Sequence, residues 1–343
     1  MNPAFLPRAL TIGLSAVVMS ALAALTPARA ETLDKVSFGT NWVAEGEHGG
    51  FFQAVADGTY KKYGLDVTIV PGGPNENNRM LLIAGKLDFF MSANSLQTFD
   101  AVTNNVPLVA VAAIFQKDPQ VFLTHPEVKV SKIEDLKPLT LLVSKEGIVT
   151  YFQWMKSRYG FSESKVKPYT FNAQPFIVNK DVAMEGYVSS EPYAVEKKAG
   201  FKPNVLLIAD YGFNAYSTLI ETRSDLVDKK PDLVQRFVDA SIVGWYHYLY
   251  GDNSAGNAMI KKLNPEMTDE LLAFSVDQMK QHGIVDSGDA IKNGIGAMTD
   301  ERMASFFESM VSAGVVKSTI DYRKGYTLRF VNKAVGVEFK PKN

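Results

Sequence analysis

Apolar residues along this chain follow two alternating rhythms: short runs that read as strands, and longer stretches at helical spacing. Val36-Ser37-Phe38-Gly39 predicts a first strand, and Gly50 to Tyr63 a helix with Phe51, Phe52, Val55 and Tyr60 on its apolar face. Leu65 to Val70 alternates as a second strand and stops at Pro71-Gly72-Gly73-Pro74, a run that breaks regular structure. Asn77 to Ala84 predicts a short helix, Leu87 to Met91 a strand, Ser95 to Thr103 a helix and Leu108 to Phe115 a strand. This alternation implies a mainly parallel sheet with helices on both faces.

Lys117-Asp118-Pro119 interrupts the pattern, and a second unit follows. Strands are predicted at Thr140–Val143, Val166–Phe171, Gly186–Val188 and Val205–Ile208, with helices at Val149–Tyr159 and Glu191–Ala199. Ser217–Thr222 predicts one more strand. Helices then dominate, at Pro231–Leu249, Ala255–Leu263, Asp269–His282 and Asp300–Ala313. The expected organisation is α/β, in two lobes: 31–117 with 211–343 as the first, and 118–210 as the second. The crossings near Lys117–Gln120 and Asp210–Asn214 are the hinge candidates.

The first thirty residues belong to another class. A short segment ending at Arg8, an apolar stretch from Ala9 to Leu25 and the small residues of Thr26-Pro27-Ala28-Arg29-Ala30 predict a signal peptide over 1–30, cleaved after Ala30. The chain has no cysteine, which removes disulfides, thiolate nucleophiles and a lipid-anchored N-terminus. A periplasmic location follows as the expectation. Apolar residues make up 46 % and charged residues 21 %, enough for a large core. The formal charge is -1 and becomes -3 without Arg8 and Arg29, a balance that speaks against nucleic acid or an anionic membrane as partner. Nothing in the sequence signals an oligomer, so a monomer is expected.

In open α/β sheets ligands lie beyond the carboxyl ends of the strands. The segments that follow the predicted strands supply Asn41, Trp42 and His48, then Ser92 and Asn94, then Gln116, and in the second unit Gly147, Tyr187, Glu191 and Tyr211. Aromatic, amide, hydroxyl and carboxylate groups together suit a flat polar ligand stacked on rings and hydrogen-bonded at its rim. Glu191 precedes Pro192, so it either complements a helix N-terminus or accepts a hydrogen bond from the ligand. Glu45 and Glu47 read as a solvated loop. These segments hold more acidic than basic side chains and no Arg, which favours a neutral or weakly cationic heterocycle over a strong anion. His48, His125, His247 and His282 have no metal-ligand spacing, and no nucleophile elbow or phosphate-binding glycine loop is present, so no catalytic, metal or cofactor site is expected.

Several segments resemble a known family. Asn41-Trp42, His48-Gly49-Gly50-Phe51-Phe52-Gln53-Ala54 and Tyr63-Gly64-Leu65-Asp66-Val67 resemble the receptors of nitrate, sulfonate, taurine and thiamine-precursor ABC importers. Val109–Gln116 and Gly186-Tyr187-Val188-Ser189-Ser190-Glu191-Pro192-Tyr193 are similar to the versions in receptors for thiamine's pyrimidine precursors. The resemblance runs from Val36 to Gly244. It implies a type II periplasmic binding fold of two α/β lobes with a two-stranded hinge. It also implies a small-molecule ligand, and an inner-membrane permease with its ATPases as partner. Taurine, alkyl or aromatic sulfonate and nitrate are the alternative ligands. The scaffold also includes a fungal pyrimidine synthase with a Cys-rich motif, and a chain without cysteine does not inherit that activity.

Overall fold

Leu65 and Val67 face the core while Asp66 and Thr68 face out, and this alternation places β2 (Leu65–Val70) at the edge of a sheet beside β1 (Asp34–Gly39). The two pair in parallel, from Asp34 opposite Leu65 to Gly39 opposite Val70. The remaining strands are β3 (Phe89–Asn94), β4 (Leu108–Phe115), β5 (Gln120–Thr124), β6 (Thr140–Val143), β7 (Val166–Pro168), β8 (Val182–Tyr187), β9 (Asn204–Leu207) and β10 (Ser217–Arg223). The computed structural model describes Met1, residues 32–73 and residues 76–341. Apart from Met1, the expected signal peptide lies outside the described residues.

From Leu33 onward the fold rests on two five-stranded sheets, ordered β2-β1-β3-β10-β4 and β7-β6-β8-β5-β9. The two orders are equivalent. Each sheet has one antiparallel strand in fourth place: β10 between β3 and β4, and β5 between β8 and β9. Both are the first strands laid down after the chain crosses from one sheet to the other. The chain enters each lobe at the carboxyl ends of its parallel strands, so the entering strand runs the opposite way.

β5 was not among the expected strands, because Gln120-Val121-Phe122-Leu123-Thr124 directly follows the break at Pro119. One expected helix, Gly50–Tyr63, is divided, and the other, Val149–Tyr159, starts at Tyr151 behind a short helix that was not expected. Gly58, at φ +77°, separates Gly49–Ala56 from Thr59–Lys62, and Thr150 separates Lys145–Val149 from Tyr151–Tyr159.

The helix Gly49–Ala56 carries the loop that precedes it into place. A Cβ on Gly50 would lie 2.3 Å from the Trp245 ring, and one on Gly244 would lie 2.4 Å from the Gly50 carbonyl oxygen. The helices Gly49–Ala56 and Pro231–Tyr250 therefore cross with their backbones nearly touching, which only glycine permits. Phe237 of the long helix stacks on Phe89 at 4.0 Å and meets Phe38 edge-on at 5.4 Å, locking it to the first sheet.

Two crossings join the sheets, Gln116–Pro119 and Ile208–Tyr216. Arg302, from the helix Asp300–Ser312, reaches both. Its guanidinium donates to the carbonyls of Gln116, Asn214 (3.5 Å) and Ala215 (3.2 Å), and lies 4.1 Å over the Tyr216 ring. Lys117 and Asp210 form an ion pair between the crossings at 3.1 Å. The helix Asp269–Gln281 also touches the second lobe, where Ser275 Oγ donates to the Ser189 carbonyl at 2.8 Å. Among the described residues no helix is long and apolar enough to cross a membrane.

Candidate functional site

A cavity of about 330 Å³ opens between the sheets, at the carboxyl ends of β1, β3, β6, β7 and β8. The first lobe lines it with Asn41, Trp42, Glu45, Glu47 and His48 after β1, with Met91, Ala93 and Asn94 of β3, and with Thr218 of β10. The second lobe adds Glu146, Gly147 and Tyr151 after β6, Tyr169 and Phe171 after β7, and Glu185, Tyr187 and Glu191 around the end of β8. Asp118 and Gln120 stand at the first crossing.

Seven of the sequence-predicted residues meet here: Asn41, Trp42, His48, Asn94, Gly147, Tyr187 and Glu191. Three do not. Ser92 is fully buried beside Glu221, which is paired with Arg79 at 3.2 Å; strand alternation turns Met91 and Ala93 to the cavity and Ser92 away from it. Gln116 is also fully buried, and its Nε2 donates to the carbonyls of Ala113 (3.1 Å) and Ala297 (2.9 Å), because the C-terminal segment covers that strand end. Tyr211 closes a turn of 3-10 helix in the second crossing, and its carbonyl accepts from the Tyr159 hydroxyl at 2.5 Å.

Glu45 and Glu47 correct the reading of a solvated loop. Glu47 is 2 % exposed, and one of its carboxylate oxygens accepts from the hydroxyl of Ser189 in the opposite lobe. Its other oxygen, Oε2, is buried without a partner. Burial lifts the Glu47 carboxyl to about 7, against the Ser189 hydrogen bond and with the Glu191 charge adding to the rise. Burial, then the charges of Glu47 and Glu191, push Glu45 well above the usual carboxylate range. His48 is 1 % exposed, and burial lowers its imidazole to about 3, so the ring is neutral at physiological pH. Its Nδ1 has no partner.

Glu191 accepts at Oε2 from the Tyr187 N–H (2.6 Å) and the Ser190 hydroxyl (2.5 Å), so it braces the turn that leaves β8. Gly186 gives it room, since a Cβ there would lie 2.5 Å from Glu191 Cβ. Asp118 accepts from the Gln120 N–H at 3.0 Å and from Asn94 Nδ2 at 3.3 Å, a second link between lobes, while burial raises it to about 6. Glu185 accepts from the Tyr151 hydroxyl, and burial raises its carboxyl as well. Glu76 and Glu146 stand at the mouth. Seven carboxylates thus border the cavity, and no Lys or Arg is among its described lining residues.

Rings form the opposite wall. Trp42 and Phe171, from different lobes, stand 4.7 Å apart, and Tyr169 lies 5.2 Å from Phe171. Phe171 has φ +59° and Thr218 φ +49°, two of five non-glycine residues in the left-handed region among the described residues. Bulky and β-branched side chains adopt that region only when the surroundings impose it.

Tyr151, Tyr169, Phe171 and Glu185 escaped sequence reading. Glu185 alone left a signal, a single carboxylate inside the apolar run Val182-Ala183-Met184-Glu185-Gly186. The rings looked like ordinary core residues of a helix and a strand.

A family model described as NMT1/THI5 like matches residues 45–252. The riboflavin-binding protein RibY of Chloroflexus aurantiacus is 22 % identical, over 94 % of this chain and 97 % of its own. Among solved structures, the periplasmic aliphatic sulphonate binding protein SsuA of Escherichia coli superposes with a TM-score of 0.64 at 13 % identity, covering 85 % of this chain and 91 % of that one. The desulfurization enzyme DSZB superposes with a TM-score of 0.56 at 11 % identity, covering 89 % of this chain and 99 % of its own. At these identities the solved structures establish the fold, that of periplasmic binding proteins.

Proposed function

The chain belongs to the NMT1/THI5-like family, and from that premise we propose that it is the periplasmic substrate-binding protein of an ABC importer, closing on a small N-heterocyclic ligand such as a pyrimidine precursor of thiamine. The observation that carries the ligand class is the composition of the cavity: aromatic walls, seven carboxylates and no Lys or Arg among the described lining residues. A flat ring stacks on Trp42 and Phe171 while its ring and exocyclic N–H groups donate to the carboxylates. Tyr187 keeps its proton, since burial and the nearby acids raise its phenol, and it serves as a hydroxyl.

The same composition works against alkanesulfonates and nitrate, and against the sulfonate end of taurine. A full negative charge 4 Å from an ionised carboxylate costs about 4 kcal/mol at a protein-like dielectric, and no cationic side chain here offsets it. RibY makes riboflavin a second candidate, because a flavin is also a flat nitrogen heterocycle. DSZB is an enzyme on the same fold, but a chain with no cysteine has no thiolate to offer, and we assign it binding rather than catalysis.

In this reading the ligand bridges the lobes, shifts the population toward the closed form, and the closed surface is what the permease engages. Residues 1–30 direct export and are removed. Thermal shifts of the chain from Glu31 onward test the proposal, with aminopyrimidines, riboflavin, taurine, alkanesulfonates and nitrate as ligands. A ligand present at a hundred times its dissociation constant stabilises by about 2.7 kcal/mol. Stabilisation by an aminopyrimidine supports the proposal; stabilisation by sulfonate or nitrate alone refutes the ligand class and leaves the receptor.

A further inference from the structure

The hydrogen-bond accounting inside the cavity leaves a specific demand unmet. Asp118 has both oxygens engaged, by the Gln120 N–H and Asn94 Nδ2. Glu185 has one oxygen held by Tyr151, and Glu191 has Oε2 held by Tyr187 and Ser190. Further acceptors gather where Glu45 and Glu47 of the first lobe meet Glu191 of the second. Glu47 Oε2 is the clearest of them. It belongs to a side chain 2 % exposed, it lines the cavity, and no protein group donates to it. A buried acceptor left unmade is costly, and a buried carboxylate more so.

No side chain donates to this oxygen, and burial shows its cost in the rise of the carboxyl to about 7, which a cationic partner would reverse. His48 lies 3.7 Å from Glu45, and its buried ring stays uncharged. Among the described residues no cluster of His, Asp and Glu is arranged to hold a metal ion. A donor-rich cation small enough to share the cavity with a ring would satisfy this oxygen. Trp42 lines the same cavity, and its ring face favours positive charge.

Resting on the heterocycle reading above, we infer that the ligand is an organic cation: a flat ring bearing a protonated amine, whose N–H groups are taken by Glu45, Glu47 and Glu191 while the ring lies against the Trp42 and Phe171 pair. An ammonium supplies three donors, and hydrogen bonds between charged partners are the strong ones. A neutral hydroxyl at the same place donates once and leaves the carboxylates uncompensated.

Isothermal titration with three matched 4-aminopyrimidines tests this, the same ring carbon carrying an aminomethyl, a hydroxymethyl or a carboxylate group. The expected result is binding of the aminomethyl compound about tenfold or more tighter than the hydroxymethyl compound, and no binding of the carboxylate. Glu47→Gln and, independently, Glu45→Gln bring the amine-to-hydroxyl ratio toward one, so the result does not hang on the folding of a single variant. Equal or tighter binding of the hydroxymethyl compound overturns the cation and leaves the heterocycle standing. Binding of an alkanesulfonate or a divalent metal ion with none of the three pyrimidines overturns both.

Discussion

The rings of Trp42 and Phe171 stand 4.7 Å apart at 45°, one from each lobe, and close the cavity between them. Trp154 and Trp245 are fully buried, so Trp42 is the tryptophan that a ligand can reach. A ligand packing against this pair changes the fluorescence of Trp42, the tryptophan among the cavity's described lining residues. Trp42→Phe is expected to abolish the ligand-induced signal while calorimetry still detects binding. Trp42→Ala is expected to weaken binding by about 1 kcal/mol or more, through loss of the stacked face. A full fluorescence response in Trp42→Phe would place the ligand elsewhere.

Ser189 and Glu47 join the lobes by a buried hydrogen bond, and Ser275 holds the Ser189 carbonyl from a third direction. Removing the hydroxyl leaves Glu47 without its one donor. Ser189→Ala is expected to favour the open form, by about 1–3 kcal/mol. Ligand affinity then falls in proportion to the lost closed population. Small-angle scattering of the ligand-free variant should show a larger radius of gyration than the parent; identical curves and identical affinity would show that the bond contributes nothing to closure.

Acidity has a defined sign here. Glu47, raised to about 7, and Asp118, raised to about 6, bind protons in the folded state that they release on unfolding. Stability from these groups is therefore fully present below the ordinary carboxylate range and is lost as pH rises through 6 to 7. The melting temperature of the ligand-free protein should fall between pH 5 and pH 8. Glu47→Gln should flatten that slope, since the amide does not titrate. A melting temperature that rises over this interval in the parent would contradict the burial of these carboxylates.

Arg302 ties the two crossings together through three carbonyls and a ring face. Its side chain is 11 % exposed, so truncation leaves buried acceptors unpaired. Arg302→Ala is expected to cost about 2–4 kcal/mol in chemical denaturation. Arg302→Lys should recover little of it, because one ammonium cannot reproduce a planar fork spanning both segments. Rescue by Lys would reduce the clamp to a simple charge effect.

Much of this molecule is written in local pattern. Alternation in Leu65–Val70, the apolar run of Leu108–Phe115 and helical spacing in Pro231–Tyr250 place their elements to within a few residues, because period and side-chain type act over a few neighbours. Knowing that ligands sit past the ends of strands then suffices to find Asn41, Trp42, His48, Gly147, Tyr187 and Glu191 along the chain. Other features depend on the meeting of distant segments. β5 and β10 run antiparallel because the chain crosses between lobes, a matter of path rather than of composition. Ser92, inside β3, and Gln116, beneath the C-terminal segment, face covered sides, and Tyr211 is spent on the turn of the second crossing. Glu45 and Glu47 have the polarity of a surface loop and are enclosed only because Ser189 and Glu191 approach from the other lobe. Burial of a charge is set by what comes to lie against it, and for Glu47 the partners Ser189 and Glu191 arrive from far along the sequence.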